Sequence, residues 1–221
     1  MKNILSIITL LLLAIAPSVR GQGQVIFYNR IIAGNPGGVA APVYGVNPLF
    51  PTTALHGNAI TNGGTINYSG YPLPVGTTYT AALWGRPASA GLVAVPLVEL
   101  AQTPFRTSAA LKGFFGALAT VVQVPGVVTD GTLFDFQVRV WDNQNGSITS
   151  WAQVLATPGA VAGASDIFTT RVAVLPPASE PSSLFGLTSF NLTVVPEPAV
   201  MLLGALAGVA LLWRRRVGRK S

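Results

Sequence analysis

The chain has 221 residues, a formal net charge of +6 and no cysteine, which excludes disulfide bonds, cysteine nucleophiles and thiolate metal sites. The net charge comes from the two ends of the chain, because residues 24–193 carry six basic and six acidic side chains. A nucleic-acid interface needs a basic stripe on the folded domain, so this composition does not predict a nucleic-acid partner.

The N terminus has the three parts of a secretory signal peptide. Lys2 supplies a positive charge, residues 4–16 form an apolar run, and residues 14–16 form an A-x-A cleavage pattern. The apolar run is too short to span a membrane comfortably. We therefore predict a signal helix over residues 1–23, removed at a site between 16 and 23. A buried N-terminal helix or an uncleaved anchor is the alternative.

The middle of the chain has the composition of a β protein. Residues 24–193, about 170 residues, suffice for one domain with its own core. Glycine and proline separate short runs of β-branched and aromatic residues, a pattern typical of strands and turns. The predicted strands are 25–32, 78–84, 92–100, 119–124, 133–141, 147–155, 167–175 and 187–194.

These strands predict an all-β fold, an antiparallel β-sandwich of jelly-roll or immunoglobulin-like topology. The two topologies are not distinguished. The loop-rich segment 33–76 is expected to cover one edge of the sandwich or to form its end loops. No stretch within residues 24–193 has the long 3.6-residue apolar period of a helix between good caps.

The clearest strand is 134–140, where apolar residues alternate with Asp, Gln and Arg. It leads into Asn145–Gly146, the pair that favours a two-residue type I′ hairpin turn. That register predicts that Trp151 faces the core and that Trp141 faces outward, beside Arg139. A three-residue loop would shift the register and reverse this assignment.

An aromatic platform is the best candidate for a ligand site. Tyr68 and Tyr71, or an outward Trp141, could present a flat ring on which a sugar stacks. Aromatic residues of a sandwich also fill its core or rim, and this alternative stays open.

The residues of common catalytic and metal sites do not form a convincing set. His56 is the only histidine, and it has no G-x-S-x-G nucleophile motif to act on. Asp135 and Asp142 could form a glycosidase pair only if they faced each other. Asp142, Asn143 and Asn145 could offer oxygens to calcium, but the EF-hand register fails at Gly146. We expect no enzyme activity, no cofactor and no metal.

The C terminus has the properties of a short membrane span. Residues 199–213 are fifteen residues without a charged or polar side chain, about 22 Å as a helix, against about 30 Å of bilayer hydrocarbon. Trp213 suits the interface, and the arginines that follow can extend the reach by snorkelling. The basic tail 214–221 stays cytoplasmic by the positive-inside rule, which orients residues 24–193 outward. The orienting residues are Arg214, Arg215 and Arg216.

A Pro-Glu-Pro motif stands just before this span, in the predicted segment 194–198. Pro196 and Pro198 on either side of Glu197 prevent a helix and keep the segment extended. The order of Pro-Glu-Pro, apolar helix and arginine cluster closely resembles the PEP-CTERM sorting signal of bacterial exported proteins. The same kind of tail also carries the label of an ice-binding-protein C-terminal domain, which describes the tail and not an activity.

The resemblance implies a partner and a location. An exosortase, a membrane-embedded transpeptidase, would recognise Pro196, Glu197 and Pro198 and cleave nearby. The precursor would be anchored in the inner membrane, and the mature form would be released or attached at the cell surface. A permanent membrane anchor without processing is the alternative.

These expectations combine into one functional prediction with two alternatives. The first is a non-catalytic exported protein of the bacterial surface or extracellular matrix. The second is a polysaccharide- or ice-binding module, which requires a flat row of exposed aromatic or threonine residues. The third is a secreted hydrolase, which requires acids and His56 in one cleft.

Overall fold

The computed structural model describes residues 22–31, 38–58, 64–88, 95–174, 178 and 180–197. Most of the signal peptide, Pro198, the predicted span 199–213 and the basic tail 214–221 lie outside this part of the chain. Within it, the only helices are α1, Trp151–Leu155, and a 3-10 turn at Ala109–Leu111. The other regular elements are strands in mostly antiparallel pairing. The predicted all-β, antiparallel class is therefore confirmed.

The described residues contain twelve strands, numbered in chain order. They are β1 Gly23–Tyr28, β2 Arg30–Ile31, β3 Val39–Ala40, β4 Val43–Tyr44, β5 Tyr79–Pro87, β6 Val98–Pro104, β7 Gly116–Val124, β8 Thr132–Asp142, β9 Val161–Ala164, β10 Phe168–Val174, β11 Phe190–Asn191 and β12 Thr193–Val194. Two-stranded sheets pair β2 with β3 and β4 with β11, and the rest belong to one large sheet.

The large sheet curls until it nearly closes. Its strands run in the order β6, β5, β8, β10, β1 and β7, and a bridge between Phe105 and Phe115 brings the two ends together. The 11-residue β8 is central. One edge pairs with β5 along its length, and the other pairs first with β10 and then with β9.

The inner face of the curled sheet encloses the main core, which we call the inner core. β8 contributes every second residue to it, because side chains alternate between the faces of a strand. The opposite wall contributes Phe27 from β1, Val124 from β7 and Phe115, which directly precedes β7. The contribution from β8 is Phe134, Phe136, Val138 and Val140, all buried as predicted.

The predicted hairpin after β8 is wrong. Gln144 and Asn145 both have positive φ, 49° and 58°, and the Asp142 carboxylate accepts a hydrogen bond from Gln144 N at 2.8 Å. The chain then enters α1, whose N-cap Ser150 accepts from Gln153 N at 3.2 Å. Local turn and cap bonds thus replace the predicted strand 147–155, and β9 takes its place beside β8.

The segment that contains α1 folds back over the outer face of β8 and buries a second, smaller group of apolar residues. We call this group the outer cluster. It consists of Ala82, Trp141, Ile148, Val154, Ala160 and Ala162.

A buried asparagine ties the start of the fold to two later segments. Asn29 donates hydrogen bonds to the carbonyls of Ala41 and Gly113, at 2.8 and 3.1 Å, and accepts one from Phe115 N at 2.9 Å. Each bond satisfies a backbone group in the interior. The loop-rich segment is thus tied to the rest of the fold at Ala41, and further on at Pro74 and Gly76, which bond to Gly113 N and Arg106 O.

Candidate functional sites

The last strand leads directly into the predicted sorting motif. β12 pairs with β9, with Val194 opposite Val161. Val195 continues the pairing, since its N–H donates to Ala160 O at 2.7 Å and its carbonyl accepts from Gly159 N at 3.0 Å. Pro196 and Glu197 follow at once and are exposed. The ordered fold thus includes Val194 and Val195, two residues beyond the predicted domain end.

Among the predicted sorting and orienting residues, the structure describes Pro196 and Glu197. Pro198, Arg214, Arg215 and Arg216 lie outside the described residues. A proline cannot donate to a strand or continue a helix. Pro196 therefore ends the β pairing that Val195 continues.

The prediction that Trp141 faces outward into solvent is wrong. Trp141 lies on the outer face of β8, as the alternation predicts, but it is 0 % exposed because the outer cluster covers it. Its indole N–H donates to Ile148 O at 3.1 Å. Trp151, predicted to face the inner core, instead meets Trp141 edge-on at a centroid distance of 6.3 Å. A ligand platform at Trp141 is excluded by this burial.

Tyr68 is also unsuitable as a platform. It is 8 % exposed, and its ring stacks on Tyr44 with centroids 4.0 Å apart and planes inclined by 3°. Its hydroxyl lies 3.0 Å from Ser189 O and 3.1 Å from Gly57 O, in position to donate to either. Tyr71, which is half-buried, meets the Tyr68 ring edge-on at 5.9 Å. The two predicted platform residues do come together, but the flat face of Tyr68 is covered by Tyr44 and not open to a ligand.

Burial and neighbouring charge perturb the Tyr68 phenol. Burial raises the pKa of Tyr68 far above its ordinary value, and Tyr44, Asp166 and Tyr71 add smaller increases. The phenol is therefore held in its neutral, hydrogen-bonding form. This arrangement suits a structural tyrosine and not an acid–base group.

Sequence reasoning missed an exterior cluster of two tryptophans around an arginine. The Arg139 guanidinium lies 4.0 Å from the centroid of the Trp84 ring and 5.3 Å from that of Trp151. Its Nε donates to the Gln137 side chain at 2.8 Å. Burial lowers the pKa of Arg139, with Glu99 opposing. The alternation of side chains on β5 and β8 would predict Trp84 and Arg139 on one face of the sheet. The position of Trp151 could not be predicted in this way, because it depends on the helix α1, which the sequence analysis did not predict.

This cluster does not offer an open stacking surface like that of a sugar site. The guanidinium occupies one face of Trp84, the face that a sugar would need. The Trp84 indole N–H is buried and has no hydrogen-bond partner among the described residues. The arrangement is best explained as packing around a cation–π pair.

The candidate catalytic carboxylates do not converge. Asp135 is held by Arg86 Nε at 3.2 Å and by the Thr169 hydroxyl at 2.7 Å. Asp142 is seven positions further along β8, about 23 Å at the usual strand rise. A glycosidase needs its two carboxyl groups within about 10 Å. The predicted alternative of an Asp135–Asp142 pair is therefore wrong.

His56 has one acidic neighbour. Its Nδ1 lies 3.6 Å from Asp166 Oδ1, and the Asp166 side chain is largely exposed. No group of three His, Asp or Glu residues that could hold a metal occurs in the described part of the chain.

Comparison with protein-family models, with curated proteins and with solved structures finds no match to this chain. Within the described ranges, no helix has the length and apolarity needed to cross a membrane. The predicted span 199–213 lies outside the described ranges, so this finding does not concern it.

Proposed function

We propose that this protein is a non-catalytic exported protein of the bacterial surface or extracellular matrix, sorted through its C-terminal tail by an exosortase. The carrying observation is that the described β hydrogen bonds stop at Val195 and that Pro196 and Glu197, which follow, are exposed. A processing enzyme can reach a backbone that has left its β pairing, whereas paired strands resist cleavage. The motif therefore stands where cleavage would spare the domain.

The other end of the domain supports the same proposal. β1 begins at Gly23, which pairs with both Val124 and Val174. A side chain at this position would lie 2.5 Å from Val172 Cγ1. Gly23 therefore belongs to the sheet, and we propose that the signal-peptide cut lies before it, one residue earlier than the predicted boundary of 1–23.

The finer architecture is part of the proposal. We propose that the domain is an antiparallel β-sandwich of jelly-roll or immunoglobulin-like topology, with the facing walls of the curled sheet as its two layers around the inner core. A signal helix before Gly23 and a membrane helix over 199–213 would flank it. The tail would hold the precursor in the inner membrane, and the domain would face outward.

Replacing Pro196, Glu197 and Pro198 together by alanine tests the sorting role. The chain offers a matched control, the second Glu-Pro pair Glu180–Pro181, which lies between β10 and β11. We expect the sorting variant to accumulate in the inner membrane with its tail intact. The control Glu180→Ala/Pro181→Ala should reach the cell surface or the medium like the unchanged protein, as measured by fractionation and immunoblotting.

Identical fractionation of the sorting variant and the unchanged protein, both with the tail retained, would sink the exosortase proposal and leave a permanent anchor. Neither alternative function has support in the described residues. The predicted platform of Trp141, Tyr68 and Tyr71 is largely buried, and the proposed acid pair is far apart, so we propose neither a polysaccharide- or ice-binding module nor a hydrolase.

A further inference from the structure

One short loop holds two large apolar side chains in solvent. In residues 47–51, which we call the apolar loop, Leu49 is 80 % exposed and Phe50 is 58 % exposed. The buried Asn47 accepts a hydrogen bond from Leu49 N through its side chain at 2.9 Å and one from Phe50 N through its carbonyl at 3.1 Å. Prolines at 48 and 51 restrict the backbone further. The loop is thus built to keep both side chains outside.

The apolar loop lies beside the strand that leads to the tail. Pro51 O accepts a hydrogen bond from Val194 N at 2.9 Å, on the edge of β12 that faces away from β9. Ala199, where the proposed span begins, is five positions after Val194, and this stretch reaches at most about 17 Å when extended. In the anchored precursor, the loop must therefore lie close to the bilayer surface.

Few charged side chains lie near this exit: Glu197 stands on it, and His56 and Asp166 lie just beyond the two flanking segments. The two segments that flank β12, residues 46–55 and 151–165, contain no acidic or basic side chain. Moving charged groups toward lipid is costly, whereas leucine and phenylalanine gain from leaving water. A rigid loop with two exposed apolar side chains, in a segment that itself carries no charge, suits the interfacial region of a bilayer.

We propose that the apolar loop inserts Leu49 and Phe50 into the phospholipid surface of the membrane that holds the tail. This rests on the proposed function, because without a membrane tail nothing brings the loop to lipid. The contact fixes the orientation of the domain and of the adjacent Pro-Glu-Pro motif toward a membrane-embedded enzyme. Two side chains give only weak, reversible binding, so the mature domain leaves the membrane once the tail is cut.

The test uses the chain from Gly23 to Ser221, the anchored precursor after the proposed signal-peptide removal, with single cysteines, which is simple because the protein has none. Phe50→Cys is the probe. Val128→Cys is the matched control, since Val128 is 56 % exposed against 58 % for Phe50. Val128 precedes Thr132, the first residue of β8. β9, which carries β12 on its other edge, pairs with β8 as far as Trp141. Thr132 and Trp141 are nine positions apart, about 30 Å along the strand.

Each variant is labelled with a fluorophore and reconstituted into phosphatidylethanolamine–phosphatidylglycerol vesicles, with and without nitroxide-bearing acyl chains. We expect lipid quenching at position 50 to be at least about three times that at position 128, with the reverse order for aqueous iodide. Equal lipid quenching at the two positions overturns the proposal. A label at position 50 that is shielded from iodide but not quenched by lipid also overturns it, because another protein copy then covers the loop.

Flotation of the same vesicles distinguishes a failure of the loop proposal from a failure of the proposed membrane tail, on which it rests. Protein that floats with the vesicles but shows no lipid quenching at position 50 contradicts the loop alone. Protein that does not float contradicts the membrane tail, and the loop proposal with it.

Discussion

Aromatic residues are buried in two different ways in this protein. Those inside the curled sheet, such as Phe27 and Phe136, belong to strands whose alternation sends them inward. Trp141, on the outer face of β8, is instead buried by the segment that contains α1, and Tyr68, in a loop, is buried against Tyr44 and Ser189. The comparison teaches that strand alternation predicts which face of a strand a residue takes, but not whether that face meets water.

The largest effect should come from the inner core. Phe136→Ala removes a fully buried ring that packs against Phe134 and Phe168. We expect a loss of about 4 kcal/mol in the free energy of unfolding, from lost transfer energy and a new cavity. Urea unfolding measures it, with Phe136→Leu as the milder control. A loss below about 1 kcal/mol would mean that the inner core is not what holds the sheet closed.

The outer cluster should respond more locally. Trp141→Ala should cost about 3 kcal/mol, with the damage concentrated in residues 147–160. Hydrogen exchange should accelerate there first, while β1 and β7 keep their protection, because this segment packs on the sheet from outside. Trp141→Phe keeps a ring but loses the bond to Ile148 O and part of the buried ring volume, so it should cost less than Trp141→Ala. Uniform acceleration across the whole sheet would erase the distinction between the two clusters.

The arginine between two tryptophans should have a smaller effect. Arg139→Lys keeps the charge but loses the planar contact with Trp84, at a cost of about 1 kcal/mol. Arg171→Lys, at an exposed position on β10, should change stability by less than about 0.5 kcal/mol. Unfolding monitored by tryptophan fluorescence checks both. Equal effects of the two substitutions would show that the cation–π contact is not stabilising.

The smallest effect should be a loss of stability at alkaline pH, caused by the buried tyrosines. Burial raises the pKa of Tyr68, Tyr44 and Tyr79 above their ordinary value of 10.0. Above pH 10 the unfolded chain releases phenolic protons that the folded chain retains, so stability falls as the pH rises. Below pH 10 these groups contribute no slope.

Tyr68→Phe removes one of these phenols and should flatten the alkaline decline, although it lowers stability at neutral pH by the lost hydrogen bond. Urea midpoints at pH 8 and pH 11 measure the difference. An unchanged decline in the variant would indicate that Tyr68 ionises as freely in the folded protein as in the unfolded chain.

The regular part of the fold follows from local pattern. Phe134 to Val140 alternate, and the structure confirms both the strand and its buried face. The prediction of a strand at 147–155 was wrong because Asp142, Gln144 and Ser150 make turn and cap hydrogen bonds. The pattern of apolar and polar residues alone does not predict such bonds. β3, β4 and β9 went unpredicted because each is only two to four residues long and depends on a distant partner.

The candidate sites show the same limit. Pro196 and Glu197 could be singled out from the sequence, since a proline-flanked acid before an apolar run is a local feature. The Trp84–Arg139–Trp151 cluster could not, because its members come from two strands and a helix. Asn29 likewise binds carbonyls 12 and 84 positions away.

The intact mass of the protein recovered outside the cells of its native host tests the central claim most directly. The account predicts one chain that begins at or before Gly23, without the signal peptide, and ends near Pro196–Pro198, without residues 199–221. A mature protein that still carries residues 199–221 would contradict the sorting proposal and leave a membrane-tethered β domain.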